Sequence, residues 1–379
     1  MKLLFASDSF KGSLTSEKTA ELLKIAAEKV FGPCETASVP VADGGEGTVD
    51  AVITAENGET VSLTVHGPLM REVEASYGVF GDQAIIEMAS ASGLPLVPRE
   101  ERDPRNATSF GTGELILDAL NRGYRRLSIA IGGSATNDGG MGCVRALGVR
   151  FLDADGNELK GFGKDLAKVA KVDVSGLDPR IAETEITVMC DVTNPLCGPD
   201  GATYTFGRQK GATEEIQKEL EAGMLNYEAV IRRDFGIDCS QIPGAGAAGG
   251  LGAALKVFLH GQMRSGIETV LDLIRFDERL EGVDLVVTGE GRTDWQSCFG
   301  KVMDGVGAHA KKKGVPAVGL SGSLGRGALD ICEHGICSLM TTVDAPMPLS
   351  DALERAEELY LAGAERMFRF IKTGMDMRG

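Results

Sequence analysis

Short apolar segments that end in glycine-rich polar loops are the feature that most constrains the fold of this chain. The apolar segment at residues 127–131 runs into GGSATNDGG at residues 132–140, and DGGEG at 43–47 and TGEGRTD at 288–294 follow two other apolar segments. Open α/β sheets bind ligands in loops at the carboxyl ends of their strands, and nests of backbone N–H groups suit anions. One such loop alone is explained as well by a tight turn. Their repetition predicts a site that handles phosphate and its metal.

Length and charge limit the classes of protein to consider. The chain has 379 residues, a net charge of −16 and a single Trp. The length favours two domains, and the negative charge disfavours nucleic acid and anionic membranes as partners. No apolar run approaches the ~20 residues of a membrane helix. Eight cysteines without CxxC spacing, in a chain without a signal peptide, predict reduced thiols and a cytoplasmic location.

The order of the predicted elements indicates an α/β fold with two lobes. Residues 1–57 begin as βαβα, with the second strand over 37–41, and the alternation returns after residue 265 with three strands and a terminal helix over 350–370. Together these strands predict a five-stranded parallel sheet built from both chain ends, residues 1–57 and 265–379. Residues 58–264 begin with three strands joined by short connections, typical of antiparallel pairing, and predict an inserted mixed α/β domain. The interface between two such lobes is a favoured place for a ligand.

Charged side chains occupy several loops of the terminal lobe. In DSFKGS at residues 8–13, Asp8 could act as a base or metal ligand and Lys11 could meet an anion, although a turn with a solvated lysine is equally plausible. The glycines after Asp43 allow a ligand close to a helix N-terminus. Arg292 could bind a carboxylate through two parallel hydrogen bonds, and Lys301 follows it.

Two segments of the inserted lobe have less specific patterns. Asp191 and Asn194 end a predicted strand, and an Asp near a hydroxyl is the general base of phosphoryl transfer to alcohols; an Asx turn before Pro195 explains them equally well. The spacing of Gly244, Gly246 and Gly249 matches the dinucleotide fingerprint. Polar residues precede it where a strand is required, so it indicates a tight helix start or a phosphate nest.

These loops together resemble those of the bacterial glycerate kinase family. The matching segments span nearly the whole chain in order: DSFKGS at 8–13, PVADGGEGT at 40–48, FGTGE at 110–114, residues 131–142, CDVTNPLCG at 190–198, residues 243–252 and TGEGR at 288–292. The resemblance implies a flavodoxin-like terminal lobe and phosphorylation of D-glycerate that depends on ATP and Mg²⁺, usually to 2-phosphoglycerate in bacterial members. The chain departs from the family where WQSCF follows Asp294, because the family usually has Gly or Ser and then Gln-Thr there.

The patterns and the resemblance combine into one hypothesis, in which D-glycerate lies between the lobes. The expected catalytic residues are Asp191, Asp8 and Lys11. The expected substrate-binding residues are Arg292, Asp43, Gly44, Gly45, Asn194 and Lys301. The expected nucleotide-binding residues are Gly132, Gly133, Ser134, Asn137, Gly246, Gly249 and Gly250. The expected Mg²⁺ ligands are Asp138, Asp191, Glu290 and Asp294.

Two rival functions and the assembly state stay open at this point. An NAD-dependent hydroxyacid oxidoreductase follows from the Gly244 spacing and requires a strand before it. A non-catalytic, two-lobed hydroxyacid-binding protein is the other rival. The protein is expected to be a monomer or a homodimer.

Overall fold

The computed structural model of the protein describes residues 1–377. They form two compact units. We call Met1–Asp43, Thr54–Glu56 and residues 266–377 the terminal unit, and Gly44–Ile53 with Asn57–Ser265 the inserted unit. Residues 44–53 therefore group with the inserted unit, whereas the sequence analysis placed them in the terminal lobe. The lobe boundaries drawn at residues 57 and 265 stay a prediction.

The strands are numbered along the described chain. They are β1 (Lys2–Phe5), β2 (Glu35–Ser38), β3 (Glu59–His66), β4 (Glu72–Phe80), β5 (Gln83–Glu87), β6 (Arg126–Ala130), β7 (Arg150–Leu152), β8 (Lys171–Asp173), β9 (Glu185–Met189), β10 (Gln262–Arg264), β11 (Leu285–Thr288), β12 (Arg292–Thr293), β13 (Ala317–Ser321), β14 (Ser323–Leu324) and β15 (Ile336–Thr341).

The α-helices are numbered in the same way. They are α1 (Ser16–Phe31), α2 (Thr48–Glu56), α3 (Ala89–Ser92), α4 (Phe110–Asn121), α5 (Met141–Ala146), α6 (Ala202–Phe206), α7 (Glu214–Phe235), α8 (Ala247–Leu259), α9 (Gly266–Leu273), α10 (Phe276–Arg279), α11 (Val302–Lys313), α12 (Leu349–Glu354) and α13 (Ala356–Asp376). Short 3₁₀ segments lie at Leu94–Leu96, Arg99–Glu101, Pro104–Asn106, Gly163–Lys168, Pro179–Glu183, Arg208–Lys210, Cys239–Gln241, Trp295–Cys298 and Ala328–His334.

The terminal unit is built on a five-stranded parallel sheet with the order β15-β13-β11-β1-β2. Its apolar strands are covered by helices such as α1 and α13, whose Phe31 and Phe368 rings lie 5.4 Å apart. The predicted five-stranded parallel sheet is confirmed. The second strand ends earlier than predicted, at Ser38, because its neighbour β1 ends at Phe5 and the last bond joins Val39 N–H to the Phe5 carbonyl at 2.9 Å.

The predicted single helix over residues 350–370 is wrong in one respect. The structure divides it into α12 and α13 at Arg355, whose φ of −98° and ψ of 18° depart from helical values. The α12 helix has no buried residue, whereas α13 buries a face that includes Tyr360 and Phe368. The division leaves α12 outside the hydrophobic core.

The inserted unit contains a six-stranded mixed sheet with the order β10-β9-β6-β5-β4-β3. The β3, β4 and β5 strands pair antiparallel, as their short connections predicted, while β5, β6, β9 and β10 pair parallel. Its core is separate from that of the terminal unit. No helix within residues 1–377 combines the length and the apolar character needed to cross a membrane.

Replacement of Gly289 by Ala should destabilise the terminal unit. A Cβ at this position would lie 2.0 Å from the Leu320 carbonyl oxygen, so the backbone must shift, and overpacking of this kind costs about 1–3 kcal/mol. Gly374→Ala is the matched control, because a Cβ there meets nothing within 4 Å and alanine is favoured over glycine in a helix by roughly 0.5–1 kcal/mol. Thermal unfolding monitored by circular dichroism measures both. Equal midpoints for the two variants would contradict the close approach of β11 and β13.

Candidate active site

A cavity of about 950 Å³ opens in the terminal unit at the carboxyl edge of the parallel sheet. Asp8 and Lys11 enter it from the loop after β1, and Glu290 and Arg292 enter from the loop after β11. The segment that leaves β15, residues 341–347, forms another wall. Ligands of open parallel sheets bind at this edge, so the sheet itself places these side chains together.

Tight backbone packing keeps the loops of this cavity side by side. The Asp8 N–H donates to the Gly289 carbonyl at 2.9 Å, and the Gly322 N–H donates to the Glu290 carbonyl at 3.1 Å. A Cβ on Gly322 would lie 2.4 Å from the Gly291 carbonyl oxygen. Glycine at residue 322 therefore permits the two loops to run this close.

Asp8 has an unusual environment for a carboxylate. Burial, reinforced by the nearby negative charges of Asp43 and Glu290, raises the pKa of Asp8 to about 6. The Ser9 N–H, which donates to Asp8 Oδ1 at 2.6 Å, and the charge of Lys11 act in the opposite direction. A carboxylate with a pKa near the working pH is suited to proton transfer.

Glu290 is held rigidly beside Asp8. Its side chain is buried, and Oε1 accepts hydrogen bonds from the Ser297 hydroxyl at 2.5 Å and the Thr293 hydroxyl at 3.1 Å. Burial raises the pKa of Glu290, while these two bonds and the charge of Lys301 lower it. The hydroxyls fix one carboxylate oxygen in place.

Three cations line the same cavity: Lys11, Arg292 and Lys301. The Arg292 side chain is 67% exposed, and its Nε lies 3.4 Å from Asp294 Oδ2. Asp294 also caps the 3₁₀ segment Trp295–Cys298, where its Oδ1 accepts from the Gln296 N–H at 3.0 Å. Asp294 thus supports Arg292 and the following turn, and its predicted role as a metal ligand stays a prediction.

Trp295, where the sequence departs from the family pattern, lies on the turn after Arg292. The backbone N–H of Trp295 donates to the Arg326 carbonyl at 3.0 Å. The residue is 53% exposed, and its ring meets the Phe299 ring edge-on with 5.9 Å between centroids. The side chain extends this turn outward.

Asp138, in the loop at residues 132–140, has a structural role. Its carboxylate is fully buried. Oδ2 accepts from both the N–H and the hydroxyl of Ser109 at 2.7 Å and from the Gly142 N–H at 3.2 Å. Oδ1 accepts from the Gly140 N–H at 3.1 Å. These donors bond to both oxygens, and the predicted role of Asp138 as a metal ligand stays a prediction. It anchors the loop to the start of α4.

Lys210 supports the same loop from within the inserted unit. Its side chain is 1% exposed, and its Nζ donates to the Ser134 hydroxyl at 2.8 Å and the Thr136 carbonyl at 2.7 Å. Burial lowers the pKa of Lys210 to about 7, and the charge of Asp138 opposes this shift. Asn137 is also buried, with its Nδ2 donating to the Thr203 hydroxyl at 3.1 Å. Ser134 and Asn137 are thus bonded inside the protein.

The glycines of residues 244–250, where a phosphate nest was predicted, pack closely against neighbouring backbone. A Cβ on Gly246 would lie 2.1 Å from the Pro195 carbonyl oxygen, and a Cβ on Gly249 would lie 2.0 Å from that of Thr136. Gly250 has a φ of +94° and is equally buried. These glycines allow α8 to approach the loops at 132–140 and 195–202. The expectation that Gly246, Gly249 and Gly250 cradle phosphates stays a prediction. The 3₁₀ segment Cys239–Gln241 precedes them, so the strand that a dinucleotide fingerprint requires is missing from this stretch of the described chain.

Gly132 and Gly133 are exposed and line a second, smaller pocket of about 330 Å³ in the inserted unit. Gly44 and Gly45 form its opposite side, and a Cβ on Gly132 would lie 3.7 Å from the Gly45 Cα. The charged side chains among its described lining residues are acidic: Glu46, Asp50 and Glu87. The cations that would offset the charge of a phosphate line the other cavity.

Asp191 and Asn194 lie in the inserted unit, after β9. Asp191 is exposed. The side chain of Asn194 stabilises its own loop, because Nδ2 donates to the Asp200 carbonyl at 2.8 Å. The backbone carbonyl of Asn194 accepts from the Gly246 N–H at 3.0 Å. The roles predicted for these two residues stay predictions.

Comparisons with known proteins decide the family. The sequence profile described as the glycerate kinase family matches residues 3–372. The chain is 45% identical over 381 residues to the glycerate 2-kinase of Escherichia coli (strain K12), covering 100% of both chains. It is 44% identical over 379 residues to the glycerate kinase of Bacillus subtilis (strain 168), covering 100% of this chain and 99% of that protein. The chain belongs to the glycerate kinase family.

A solved structure supports the same assignment for the fold. The crystal structure of a protein from Salmonella typhimurium LT2 that carries the name glycerate kinase 2 matches with a TM-score of 0.89 and 43% identity, covering 99% of each chain. The α/β fold with a five-stranded parallel sheet and a separate mixed sheet is therefore that of a glycerate kinase family member.

Sequence reasoning missed two groups of residues in this family member. Lys210 was overlooked because no motif surrounds it; only the rarity of fully buried lysine, visible in three dimensions, reveals it. The sequence analysis also assigned no role to the apolar wall of the large cavity, and it predicted residues 350–353 of that wall as the start of one long helix. Pro346 and Pro348 signal only that the segment before α12 is irregular.

The stability of the protein should increase as the pH rises from 7 toward 10, in part because of Lys210. Its pKa is about 7 in the folded chain against 10.5 for an ordinary lysine, so in this interval the unfolded chain binds a proton that the folded chain does not. The slope from one such group is at most about 1.4 kcal/mol per pH unit. Denaturant unfolding at pH 7, 8 and 9 measures it, with Lys210→Met as the comparison that removes the group. The same slope in the variant and the native protein would show that Lys210 remains charged in the folded state.

Proposed function

We propose that the protein phosphorylates D-glycerate with ATP and yields 2-phosphoglycerate. Membership of the glycerate kinase family supports the reaction, and the name of the Escherichia coli relative, glycerate 2-kinase, supports the position of the new phosphate. The observation that carries the proposal for the site is the convergence of Asp8 with Lys11, Arg292 and Lys301 in one cavity. The oxidoreductase and the non-catalytic binding protein are not favoured. A cytoplasmic location and a monomeric or homodimeric state stay predictions.

Asp8 is the proposed general base of the reaction. A base near the glycerate hydroxyl accepts its proton while the hydroxyl oxygen forms a bond to the γ-phosphorus of ATP and ADP leaves with the electrons of the broken P–O bond. The raised pKa of Asp8 suits it to accept that proton at neutral pH. Asp191 is the alternative base, and it does not line the cavity that contains Lys11, Arg292 and Lys301.

The three cations divide between the two anionic groups of the reaction. The guanidinium of Arg292 is planar and forms two parallel bonds with a carboxylate, so we assign it to the glycerate carboxylate. Lys11 and Lys301 are compact point charges that would face the phosphoryl group. Asp43 lines the same cavity, whereas Gly44 and Gly45 line the smaller pocket.

The carboxylates of the cavity fit a magnesium ion that arrives with ATP. Magnesium is usually bound through one or two protein carboxylates together with substrate phosphates, and within residues 1–377 no three His, Cys, Asp or Glu side chains converge as a complete metal cage. Glu290 would hold the ion, because two hydroxyls fix its Oε1 and the residue lines the cavity. When bound, the ion neutralises charge on the β- and γ-phosphates.

The proposed reaction is tested by incubating the purified protein with D-glycerate, ATP and Mg²⁺. Release of ADP that depends on D-glycerate, with a ³¹P NMR signal of 2-phosphoglycerate, is the expected result. L-glycerate and lactate are the controls for stereochemistry and for the second hydroxyl. Absence of any phosphorylated glycerate would refute the proposed function, and 3-phosphoglycerate would refute the assigned position alone.

Substitution of Asp8 by Asn should reduce kcat by about 10²–10⁴-fold, the usual contribution of a general base. Because Asn keeps the size of the side chain, the KM for ATP should change little. Asp191→Asn is the matched control and should retain most of its kcat. The reverse result, with kcat lost only in Asp191→Asn, would transfer the role of base to Asp191.

Substitution of Arg292 by Ala should raise the KM for glycerate. A charge-assisted hydrogen bond contributes roughly 1.5–3 kcal/mol, which corresponds to about a 10- to 150-fold increase. Steady-state kinetics with each substrate varied separately measures the effect, and the KM for ATP should stay nearly constant. Arg292→Lys should recover only part of the loss, since an ammonium cannot form the two-bond pair. A selective loss of ATP affinity would assign Arg292 to the phosphates.

A further inference from the structure

The large cavity has a second end that glycerate does not explain. Glycerate is a three-carbon acid without an apolar face, whereas the cavity of about 950 Å³ is in the range of about 300–1,000 Å³ typical of sites for much larger ligands. We call the lining supplied by the loops after β1 and β11 the charged end. We call the lining supplied by α12 and the segment before it the apolar end, because Asp344 is its one charged residue among the described lining residues, which include Val343, Pro346, Met347, Leu349, Ala352 and Leu353.

This apolar end is not part of the hydrophobic core. The α12 helix buries none of its residues, and Leu349 and Leu353 are 73% and 41% exposed. Leu324, which faces the same cavity from β14, is 40% exposed. Single exposed leucines are common on protein surfaces, but several around one concave site indicate a surface that a ligand covers.

Charge identifies the ligand that fits both ends. A continuous cavity with an apolar end and with Lys11, Arg292 and Lys301 at the other matches a molecule that has an uncharged planar group joined to a polyanion. ATP, the donor in the proposed reaction, has this form. We propose that the adenine ring of ATP binds in the apolar end, against α12 and the segment before it, with the triphosphate directed toward the lysines.

The inference rests on the proposed ATP-dependent reaction and adds a location for the adenine ring of ATP. It places the nucleotide in the terminal unit, whereas the sequence analysis expected it at Gly132, Gly133 and the 244–250 segment. The packing of Gly246 and Gly249 against neighbouring carbonyls agrees with this relocation. The apolar side chains of α12 then lose contact with water when ATP binds.

The test is a pair of leucine variants with a matched control. Leu349→Ser and Leu353→Ser, alone and combined, remove apolar surface from the cavity without touching the core. Leu329→Ser is the control, because Leu329 is 69% exposed in the same unit and does not line the cavity. The double variant should raise the KM for ATP by roughly 5- to 10-fold, the order expected for losing part of a buried apolar contact. The KM for glycerate should stay unchanged.

Inhibition by inorganic tripolyphosphate distinguishes protein contacts to the adenine ring from protein contacts to the phosphates. Its inhibition constant should be the same in the double variant and the native protein, because it lacks the adenine ring. A bulky substitution that fills the apolar end, Ala352→Phe, should weaken ATP and spare tripolyphosphate in the same way. An unchanged KM for ATP in the double variant, or equal weakening of ATP and tripolyphosphate, would overturn the inference.

Equilibrium binding keeps this inference distinct from the proposed reaction. Calorimetric titration with ADP in the absence of glycerate should show binding to the native protein and to Leu329→Ser that weakens in the double variant. This result would support the adenine site even if glycerate were not phosphorylated. ADP affinity that is equal in all three proteins would overturn the adenine site even if the kinase reaction were found.

Discussion

The close approach of glycine loops at the carboxyl edge of the five-stranded sheet is the constraint on which the candidate site depends. Gly289 lies against the Leu320 carbonyl and Gly322 against the Gly291 carbonyl, at separations that leave no room for a Cβ. Because these loops run side by side, Asp8 and Glu290 share one cavity although 281 residues separate them. Burial then raises the pKa of both carboxyl groups, the charges of Asp43 and Glu290 add to the shift of Asp8, and a nearby lysine opposes the shift of each group. Backbone packing therefore sets the electrostatics of the site.

Buried ionisable side chains organise the inserted unit in a different way. Asp138 and Lys210 are both inaccessible to water, and each is satisfied by hydrogen bonds from or to the loop at residues 132–140 and its neighbours. A buried charge is tolerated only when its polar atoms are paired. Residues 134–138 are accordingly held in place inside the unit, while Gly132 and Gly133 remain exposed at its surface. Most polar side chains of this loop are therefore bonded inside the unit, and its predicted binding role stays a prediction.

The sequence predicted the parallel sheet of the terminal unit well because the period of apolar residues and the βα alternation are local signals. Six residues that it proposed for the site line one cavity: Asp8, Lys11, Asp43, Glu290, Arg292 and Lys301. Their functional roles stay predictions. It could not distinguish a glycine that presents N–H groups to a ligand from one that packs against a carbonyl, as Gly249 does. It also could not reveal the break at Arg355, because the residues on both sides of it continue a helical pattern. Such distinctions depend on tertiary neighbours.

The most direct test of the account is a crystal structure of the protein with D-glycerate, Mg²⁺ and a non-hydrolysable ATP analogue. The account predicts glycerate density beside Asp8, with its carboxylate on Arg292, and the γ-phosphate facing Lys11 and Lys301. Density for glycerate in the smaller pocket lined by Gly45 and Gly132, with the large cavity empty, would contradict it.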